Sequence, residues 1–457
     1  MQTNFAPEQL RDPRVAEADR ILKRCVHCGL CTAVCSTYVV LGDERDSPRG
    51  RIYLIKDMLE RRDEHAPSEQ VRHHVDRCLT CLSCMTTCPS GVDYLHLVDA
   101  ARAEIEERCP RSFKDRMLRR VLAWTIPYPR RFRLALKAVP LARPFIPLLQ
   151  RFGLEEVAAM LALAPTGANK REARFGGAGT AVTHSERRAR VLLLTGCVQP
   201  VLRPDINDAT IRLLARRGVD VVVAHGTGCC GGIVQHMGQE KDAQYLAKRN
   251  IDAWWKEIGR GEIDAIIVNA SGCGTTVKDY GHMLRGDPAY ADRAERVSSL
   301  AKDVSEFLYE YQLGAPERWS SLRVAYHSAC SLQHGQRIHD EPRALLQQAG
   351  FAVMDVPEGH ICCGSAGTYN ILQPEIASQL KKRKQDNIRS TRVDVVAAGN
   401  IGCITQLNTG LDTPIVHTVE LLDWAYGGPV PPGLEHLAQF VTDVPKPRRH
   451  VEDFIET

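Results

Sequence analysis

Two short cysteine runs near the start of the chain have the spacing that iron–sulfur clusters need. Each reads C-x-x-C-x-x-C-x-x-x-C, and together they comprise Cys25, Cys28, Cys31 and Cys35, then Cys78, Cys81, Cys84 and Cys88. Three thiolates spaced by three residues can hold one corner of a [4Fe–4S] cube, while the fourth cysteine of each run binds the other cluster in two-cluster ferredoxins. We therefore predict one cluster at Cys25, Cys28, Cys31 and Cys88, and a second at Cys78, Cys81, Cys84 and Cys35.

Structural zinc is the alternative for these runs. A zinc site would use four cysteines as two C-x-x-C pairs, which leaves the third cysteine of each run and the Cys88-Pro89 step without a role. The first run ends in Cys35-Ser36 and lacks this proline. Because the cluster interpretation accounts for more of the pattern, we prefer it.

Eight further cysteines form an internal repeat. The first three positions of the two copies are 133 residues apart, and the copies are Cys197, Cys229, Cys230 and Cys273, then Cys330, Cys362, Cys363 and Cys403. Short β-branched runs, such as 219–223 and 263–268, precede the cysteines and alternate with helical segments, which predicts βαβ units and parallel sheets. Ligands bind at the carboxyl ends of strands in such sheets. Each set of four is therefore a candidate metal or redox site.

These patterns define a multidomain protein. We predict an N-terminal all-helical two-[4Fe–4S] ferredoxin module, followed by a tandem duplicated α/β domain with parallel sheets (Cys-Cys-Gly domains). Helical spacing predicts helices at 8–24, 51–62 and 94–108. The predicted divisions are the ferredoxin domain at 1–110, a basic helical connector and linker at 111–188, and the two Cys-Cys-Gly domains at 189–318 and 319–457. Glycines at 164–190 mark the linker.

The composition fits a cytoplasmic metal-binding protein. The chain has 457 residues, 17 cysteines and a formal net charge of +4. This cysteine fraction is too low for a disulfide scaffold, and a reducing compartment suits thiolate ligands. We expect no secretory signal, no membrane span and no nucleic-acid partner. Cys109 lies outside both cysteine groups and is expected to be a structural thiol.

The region 111–152 is strongly basic. It has eleven Lys and Arg residues against one Asp, with apolar side chains such as Trp124, Phe132 and Leu148 between them. A basic amphipathic helix can lie on an anionic membrane surface. Two interpretations remain open here: docking on a membrane or a partner, and a connector that packs on the rest of the protein.

Together, these motifs resemble a known family. A dicluster ferredoxin module followed by two Cys-Cys-Gly domains is similar to heterodisulfide reductase subunits, lactate-utilisation proteins and the iron–sulfur subunit of anaerobic glycerol-3-phosphate dehydrogenase. The resemblance is strongest to the iron–sulfur subunits of bacterial glycolate oxidases. It is carried by segments 25–29, 48–56, 78–81, 250–255, 270–274 and 362–369.

The resemblance implies an electron-transfer subunit of a flavin-linked glycolate oxidase complex. Flavoprotein partner subunits would oxidise glycolate to glyoxylate, and this chain would pass the electrons to a membrane acceptor such as a quinone. It would be peripheral on the cytoplasmic face of the inner membrane. No convincing flavin or nicotinamide site occurs in the sequence, so we assign no catalytic residue to this chain. Lactate and glycerol-3-phosphate are the alternative donors.

The repeat departs from heterodisulfide reductases at one position. There, the last cysteine of each repeat belongs to a C-x-x-C pair, whereas here Thr276 follows Cys273 and Gln406 follows Cys403 at that spacing. Each site thus offers four cysteines instead of five, and a four-thiolate cluster, zinc or a site with less metal are the alternatives. Three nearby histidines are either further ligands or, as we prefer, surface or structural residues: His225, His327 and His360. A heterodisulfide-type reductase and a non-redox zinc scaffold are the alternative functions.

Overall fold

The computed structural model describes residues 1–164, 178–182 and 187–444. Up to Arg108, the chain forms a helical domain that contains both cysteine runs. Its helices are α1 (Pro13–Arg24), α2 (Leu30–Ala33), α3 (Ser36–Leu41), α4 (Pro48–Glu60), α5 (Glu69–Asp76), α6 (Ser83–Thr87) and α7 (Tyr94–Arg108). Short 3₁₀ turns occur at Gln9–Arg11 and Glu44–Asp46. The prediction of an all-helical module is confirmed.

Capping residues set the starts of the main helices. Asp12, Ser47 and Asp93 each accept a backbone N–H hydrogen bond immediately before α1, α4 and α7, which satisfies donors that the helix leaves unpaired. The predicted helix at 8–24 is divided because Asp12 has extended backbone and caps α1. The apolar faces of these helices meet in one core that includes Leu22 and Leu97, both with no exposed surface.

Four further helices follow the ferredoxin domain. They are α8 (Phe113–Thr125), α9 (Pro129–Ala142), α10 (Ile146–Arg151) and α11 (Glu155–Leu163), and we call them the connector. Prolines begin or interrupt them, as at Pro129 and Pro140, because proline lacks a backbone N–H and fits only the first helical turn without distortion. Arg111 joins the connector to the ferredoxin domain through a 2.7 Å ion pair with Asp76.

The first α/β domain has a five-stranded sheet. Its elements are β1 (Gly179–Ala181), β2 (Ala189–Leu194), α12 (Gln199–Leu202), α13 (Pro204–Arg216), β3 (Val219–Val223), α14 (Gly232–Gln235), α15 (Glu240–Ile258), β4 (Ala265–Val268), α16 (Ser271–Lys278), α17 (Tyr280–Met283), α18 (Ala291–Leu300), β5 (Ala301–Asp303) and α19 (Val304–Tyr311). The strand order is β1-β3-β2-β4-β5. All pairs are parallel except β1–β3.

Strand β1 differs from the sequence-based expectation. It lies within the stretch predicted as a linker, yet Thr180 pairs with Val222 on the edge of the sheet. Its three residues show no alternation of apolar and polar side chains, so the sequence gives no strand signal here. The pairing depends on the free edge of β3. Residues 165–177 and 183–186 of the predicted linker lie outside the described residues.

The second α/β domain repeats the arrangement with four parallel strands. Its elements are β6 (Arg318–Ser320), β7 (Arg323–His327), a π-helical turn (Ser331–Gly335), α20 (Glu341–Gln348), β8 (Ala352–Asp355), α21 (Tyr369–Leu372), α22 (Pro374–Ser390), β9 (Val395–Ala398), α23 (Ile401–Asn408), β10 (Ile415–His417), α24 (Thr418–Ala425) and β11 (Val441–Asp443). The order is β10-β9-β7-β8, and β6 pairs with β11 in a separate two-stranded sheet.

The two α/β domains share one hydrophobic core. Helices α13 and α24 pack together across it, and the buried Asp423 carboxylate accepts hydrogen bonds from Arg212 at 2.6 Å and Arg216 at 2.7 Å. The predicted parallel-sheet α/β class is thus confirmed for both copies. Among the described helices, none combines the length and apolar character that crossing a bilayer requires.

Candidate metal centres and the adjoining cavity

The first ferredoxin site lies at the protein surface. Its wall contains all four cysteines predicted for the first cluster, around a cavity of about 40 Å³: Cys25, Cys28, Cys31 and Cys88. Cys28 is exposed, and an apolar rim surrounds it, formed by Val26, Leu30 and Tyr53, which are 68%, 55% and 55% exposed.

The second ferredoxin site lies deeper in the same domain. Its cavity of about 20 Å³ is lined by the other predicted set, Cys35, Cys78, Cys81 and Cys84. Cys84 also lines the first cavity, so the two sites adjoin. The structure brings both predicted ligand sets together, and the assignment of each set to one cluster stays a prediction.

Both runs use the same irregular backbone turn. The residues before and after the second cysteine have left-handed conformations, with φ between 50° and 83°; they are His27 and Gly29 around Cys28, and Thr80 and Leu82 around Cys81. Residues other than glycine rarely adopt such φ values, at a cost of about 1–3 kcal/mol each. Because two separate runs share this turn, we attribute the backbone strain to the way the chain curves around a bound group.

Several cysteine thiols of these sites are buried, so they lose their protons readily only beside a bound positive charge. Burial raises the pKa of Cys31 to about 11, and the nearby thiols of Cys25 and Cys35 add to the shift. Burial raises the pKa values of Cys81 and Cys84 further. Metal ligands must be deprotonated, and a bound metal supplies the charge that allows it. Four thiols around a small cavity, with a backbone turned towards it, fit a [4Fe–4S] cluster.

A buried cation lies beside the second ferredoxin site. The Arg51 side chain is 1% exposed, and its Nη1 lies 4.0 Å from Cys35 Sγ. Its Nη2 donates to the buried Asp46 carboxylate at 3.2 Å and its Nε to the His74 carbonyl at 2.6 Å. The guanidinium is therefore fixed within a hydrogen-bond network, with one edge facing the cysteine site.

The first Cys-Cys-Gly site is a string of four touching thiols. Hydrogen bonds with Cys197 and Cys230 raise the pKa of Cys229, and the bond with Cys230 raises that of Cys273. Cys230 accepts from Cys229 and Cys273, which lowers its own pKa. The loops after β2 and β3 and the start of α16 bring these residues together, as the strand-end argument predicts.

The second site has the same order of contacts. Cys330 Sγ lies 3.8 Å from Cys362 Sγ, and the contacts continue through Cys363 to Cys403. A backbone N–H donates to the first cysteine of the pair in both copies, from Gly231 to Cys229 and from Gly364 to Cys362, each at 3.4 Å.

The glycines after the cysteine pairs have a steric role. Gly231 and Gly364 have φ values of 97° and 87°, and a Cβ there would lie 3.0 Å and 2.7 Å from the carbonyl oxygens of Ala243 and Ala377. Only glycine combines this φ with such a close approach. The turn that presents each cysteine pair therefore depends on it.

The second site also contains a histidine. Ligand atoms of His327, Cys363 and Cys403 all lie within 4.8 Å of one another. Burial lowers the pKa of His327 to about 3, and its Nε2 has no hydrogen-bond partner, so the ring has the neutral form that binds metals. The equivalent residue in the first copy, 133 positions earlier, is Leu194. His225 and His360 are exposed.

A lysine gives the two sites different charges. Lys384 is 1% exposed and donates to the Glu358 carbonyl at 2.7 Å, and burial lowers its pKa while the thiols of Cys362 and Cys363 oppose that shift. The two helices align through Ala243 and Ala377, which contact Gly231 and Gly364. This alignment matches Lys384 with Asn250, which is 1% exposed and donates to the Cys229 carbonyl at 2.9 Å. The second site thus has a buried lysine where the first has a buried amide.

The second site adjoins the ferredoxin domain. Cys362 N–H donates to Ser36 Oγ at 3.0 Å. Burial raises the pKa of Cys81, and the neighbouring Cys330 thiol raises it further, which places Cys330 beside the second ferredoxin site. The two Cys-Cys-Gly sites meet in turn, because Ser271 Oγ and Ser331 Oγ are 2.7 Å apart. Candidate centres therefore adjoin from the surface of the ferredoxin domain to the first α/β domain.

Two features escaped sequence reasoning. Lys384 lies in a run of four cations on α22 that resembles a solvated helix face. The available signal was its counterpart in the other copy, Asn250, a polar residue among the apolar positions of α15. A cavity of about 490 Å³ between the connector and the first Cys-Cys-Gly site left no sequence signal, because its walls come from three separate regions.

The families that match this chain agree with the geometry. A "4Fe-4S dicluster domain" matches residues 21–92, and a "Cysteine-rich domain" matches twice, at 191–278 and 324–408. The fold, the thiol sites and these matches define an iron–sulfur protein with one dicluster domain and two cysteine-rich domains.

Similar proteins narrow this class. The chain is 41% identical to the glycolate oxidase iron–sulfur subunit of Escherichia coli (strain K12), over 93% of this chain and 99% of the relative. It is 31% identical to the probable glycolate oxidase iron–sulfur subunit of Bacillus subtilis (strain 168), over 89% and 94%. Identity to lactate utilization protein A of Oceanobacillus iheyensis is 28%, over 51% and 96%. The chain belongs to the family of glycolate oxidase iron–sulfur subunits.

This membership confirms the predicted family, fold class and cofactors. The chain is an iron–sulfur subunit of an oxidoreductase, it has an electron-transfer role, and its dicluster domain carries two [4Fe–4S] clusters. The cysteine-rich domains supply two further sets of four thiols, for which a third cluster, zinc and a site with less metal remain the alternatives.

Proposed function

We propose that this chain is the iron–sulfur subunit of a flavin-linked glycolate oxidase complex. It would receive electrons from flavoprotein subunits that convert glycolate to glyoxylate, and deliver them to a membrane quinone. The main observation in support is the 41% identity to the Escherichia coli subunit along 99% of that protein's length.

The arrangement of the thiol sites suits this role. When bound, [4Fe–4S] clusters accept and release single electrons. Cys84 lines both ferredoxin cavities, Cys81 adjoins Cys330, and Ser271 contacts Ser331 between the two Cys-Cys-Gly sites. Because short separations favour electron transfer, a continuous series of sites through the chain supports a relay more than a single catalytic pocket.

The apolar rim around Cys28 is the proposed contact for a flavoprotein subunit. Val26, Leu30 and Tyr53 are each more than half exposed beside a cysteine of the first site. Exposed apolar patches rimmed by polar residues mark protein–protein contacts. Arg49 and Glu44 form an ion pair of 2.7 Å next to this rim, which supplies such a polar border.

The outer face of the connector is the proposed membrane contact. Exposed apolar side chains include Trp124 (61%), Leu134 (67%) and Leu141 (79%). The Arg131 guanidinium lies 4.5 Å from the Trp124 ring centroid. Aromatic and basic residues together suit the interface of an anionic bilayer. The inner side of the connector packs on the protein, and the proposed membrane contact concerns its outer side.

A heterodisulfide-type reductase is less well supported. The Thr276 hydroxyl lies within hydrogen-bonding reach of Cys230, in the place that a fifth cysteine would take. In the second copy, Gln406 accepts a hydrogen bond from Asn370 at 3.0 Å. A hydroxyl and an amide do not provide a fifth thiolate at either site.

The test is glycolate-dependent reduction of the chain in its complex. We would purify the complex anaerobically with its flavoprotein subunits and record electron paramagnetic resonance spectra after adding glycolate, lactate or glycerol-3-phosphate. The proposal expects reduced-cluster signals with glycolate and none with the other donors. Disulfide reduction by the chain, without glycolate-dependent signals, would favour the reductase instead.

A further inference from the structure

The cavity beside the first Cys-Cys-Gly site joins a candidate redox centre to the connector. Its walls include Leu136 and Val139 of α9 and Met160 of α11, and its other side includes all four cysteines of the first site. Val121 of α8 also lines it and is 44% exposed. The cavity therefore opens to the surface beside the connector helices.

The volume exceeds what a metal centre needs. The cavities at the two ferredoxin sites, which have the same number of cysteines, measure about 40 and 20 Å³. This cavity measures about 490 Å³, more than ten times either value. A second occupant thus fits beside any cluster or metal held by the four thiols, and its volume is in the range of small-molecule sites.

Few polar groups line this space. His236 lines the cavity between the two α/β domains, and its Nδ1 is buried without a hydrogen-bond partner. Ser365 and Asn400 lie on the wall formed by the second α/β domain. An unpartnered ring nitrogen is costly to bury unless a ligand pairs with it. The occupant therefore has an apolar body and at least one group that hydrogen-bonds at its inner end.

The surroundings of the opening suit a lipid-soluble occupant. The cavity opens where exposed apolar residues and cations of the connector form the proposed membrane contact. A molecule that leaves the bilayer here would pass mostly apolar side chains of α8, α9 and α11 before it reached the thiols. A polar metabolite would have no favourable path along the same walls.

We infer that this cavity binds the head group of an isoprenoid quinone, with its tail along α8 and α9 and one carbonyl oxygen hydrogen-bonded by His236. The inference rests on the proposed function. Reduction to the quinol takes two electrons, supplied one at a time by the chain's reduced iron–sulfur centres, and two protons taken up from solvent. The electrons come ultimately from glycolate through the flavoprotein subunits, so no further reductant is required.

The experiment fills the cavity and compares two acceptors. Val139→Trp places a large ring in the cavity wall. Ala162→Trp is the matched control, because Ala162 is on the neighbouring helix α11 but is exposed and does not line the cavity. The intact complex would be assayed with glycolate and either decylubiquinone or ferricyanide. We expect Val139→Trp to raise the KM for decylubiquinone by about tenfold or more and to leave ferricyanide reduction unchanged. Even one methylene group more or less in an apolar pocket changes substrate selection by about tenfold or more.

Photolabelling locates the site without relying on turnover. An azido-quinone should label connector residues of the wild-type complex, and Val139→Trp should reduce that labelling while Ala162→Trp does not. His236→Leu should weaken decylubiquinone binding more than His236→Gln, which retains an N–H donor.

The possible failures are distinguishable. If glycolate reduces neither acceptor, the proposed function fails. If both acceptors are reduced but Val139→Trp behaves like Ala162→Trp, or labelling falls on a partner subunit, the function stands and this cavity is not the quinone site.

Discussion

Removing the Arg51 charge should lower the reduction potential of the second ferredoxin cluster. Reduction adds negative charge to the cluster, and a buried cation beside it stabilises the reduced form. Arg51 Nη1 lies 4.0 Å from Cys35 Sγ, and the side chain is 1% exposed, so solvent screens this charge little. Arg51→Gln removes the charge and retains part of the hydrogen bonding to Thr37 and the His74 carbonyl.

The size of the shift follows from Coulomb's law. Arg51 Nη1 lies 4.0 Å from Cys35 Sγ, so a cluster bound to that sulfur would place the added electron roughly 6 Å from the guanidinium, which gives about 3 kcal/mol at an effective dielectric constant of about 20. For a one-electron step, about 1.4 kcal/mol corresponds to about 59 mV. Arg51→Gln should therefore lower the potential by about 120 mV.

A redox titration followed by electron paramagnetic resonance measures this shift on the purified chain. Arg51→Lys is the control that keeps the charge, and its potential should change by less than about 30 mV. Arg49→Gln is a second control, since Arg49 is on the same helix but 34% exposed and paired with Glu44.

Loss of Arg51 also leaves the buried Asp46 with fewer partners, which costs about 3–5 kcal/mol of stability. The double variant Asp46→Asn/Arg51→Gln removes both charges and serves if the single variant assembles poorly; its potential should fall less. An unchanged potential in Arg51→Gln, or an equal fall in Arg51→Lys, would refute the electrostatic reasoning.

Three further predictions concern the cluster ligand Cys78, the contact of His96 with the first α/β domain, and the turn at Gly364 after the second cysteine pair. Cys78→Ala should remove about four iron and four sulfide per chain in metal analysis, whereas Cys109→Ser should remove none. His96 hydrogen-bonds to Asp93 in the ferredoxin domain and Asp279 in the first α/β domain. Although burial opposes its charge, these bonds raise the pKa of His96 to about 10, so the stability that charged His96 adds to the fold is complete below pH 6.5 and is lost as pH rises through 10. His96→Gln should flatten this pH dependence in denaturant titrations. Gly364→Ala should cost about 1–3 kcal/mol in thermal unfolding, and more than Gly42→Ala, which has φ +69° but nothing within 4 Å of the added carbon.

Each has a result that would contradict it. Equal iron in Cys78→Ala and wild type would remove this cysteine from the cluster. A stability that rises between pH 6.5 and 10 would mean that His96 is not charged in the folded protein. Equal unfolding temperatures for the two glycine variants would mean that the carbonyl near Gly364 moves away without cost.

The fold was predictable where local chemistry determines it. Caps and prolines marked the helices, and the 133-residue offset between Cys197 and Cys330 revealed the duplication before any strand was considered. Strand β1 was not predictable, because its three residues pair only through an edge that another part of the chain supplies.

The sites were predictable as far as thiols define them. The sequence grouped all sixteen cysteines into sets that the structure brings together. The position of Lys384 beside the second Cys-Cys-Gly site was not predictable, because its burial depends on packing between distant segments. The large cavity forms where the connector and the two α/β domains come together, and no local hydrophobic pattern in the sequence indicates such a contact.

The exposure of Cys28 has a consequence for how the protein is made. A cluster at the protein surface is open to oxygen, and the apolar rim around Cys28 leaves it uncovered unless the proposed flavoprotein contact forms there. Chain produced alone in air should therefore lose the first cluster sooner than the deeper second one. Cells that make this subunit then gain from synthesising its partners together with it, since assembly protects the iron before the enzyme turns over once.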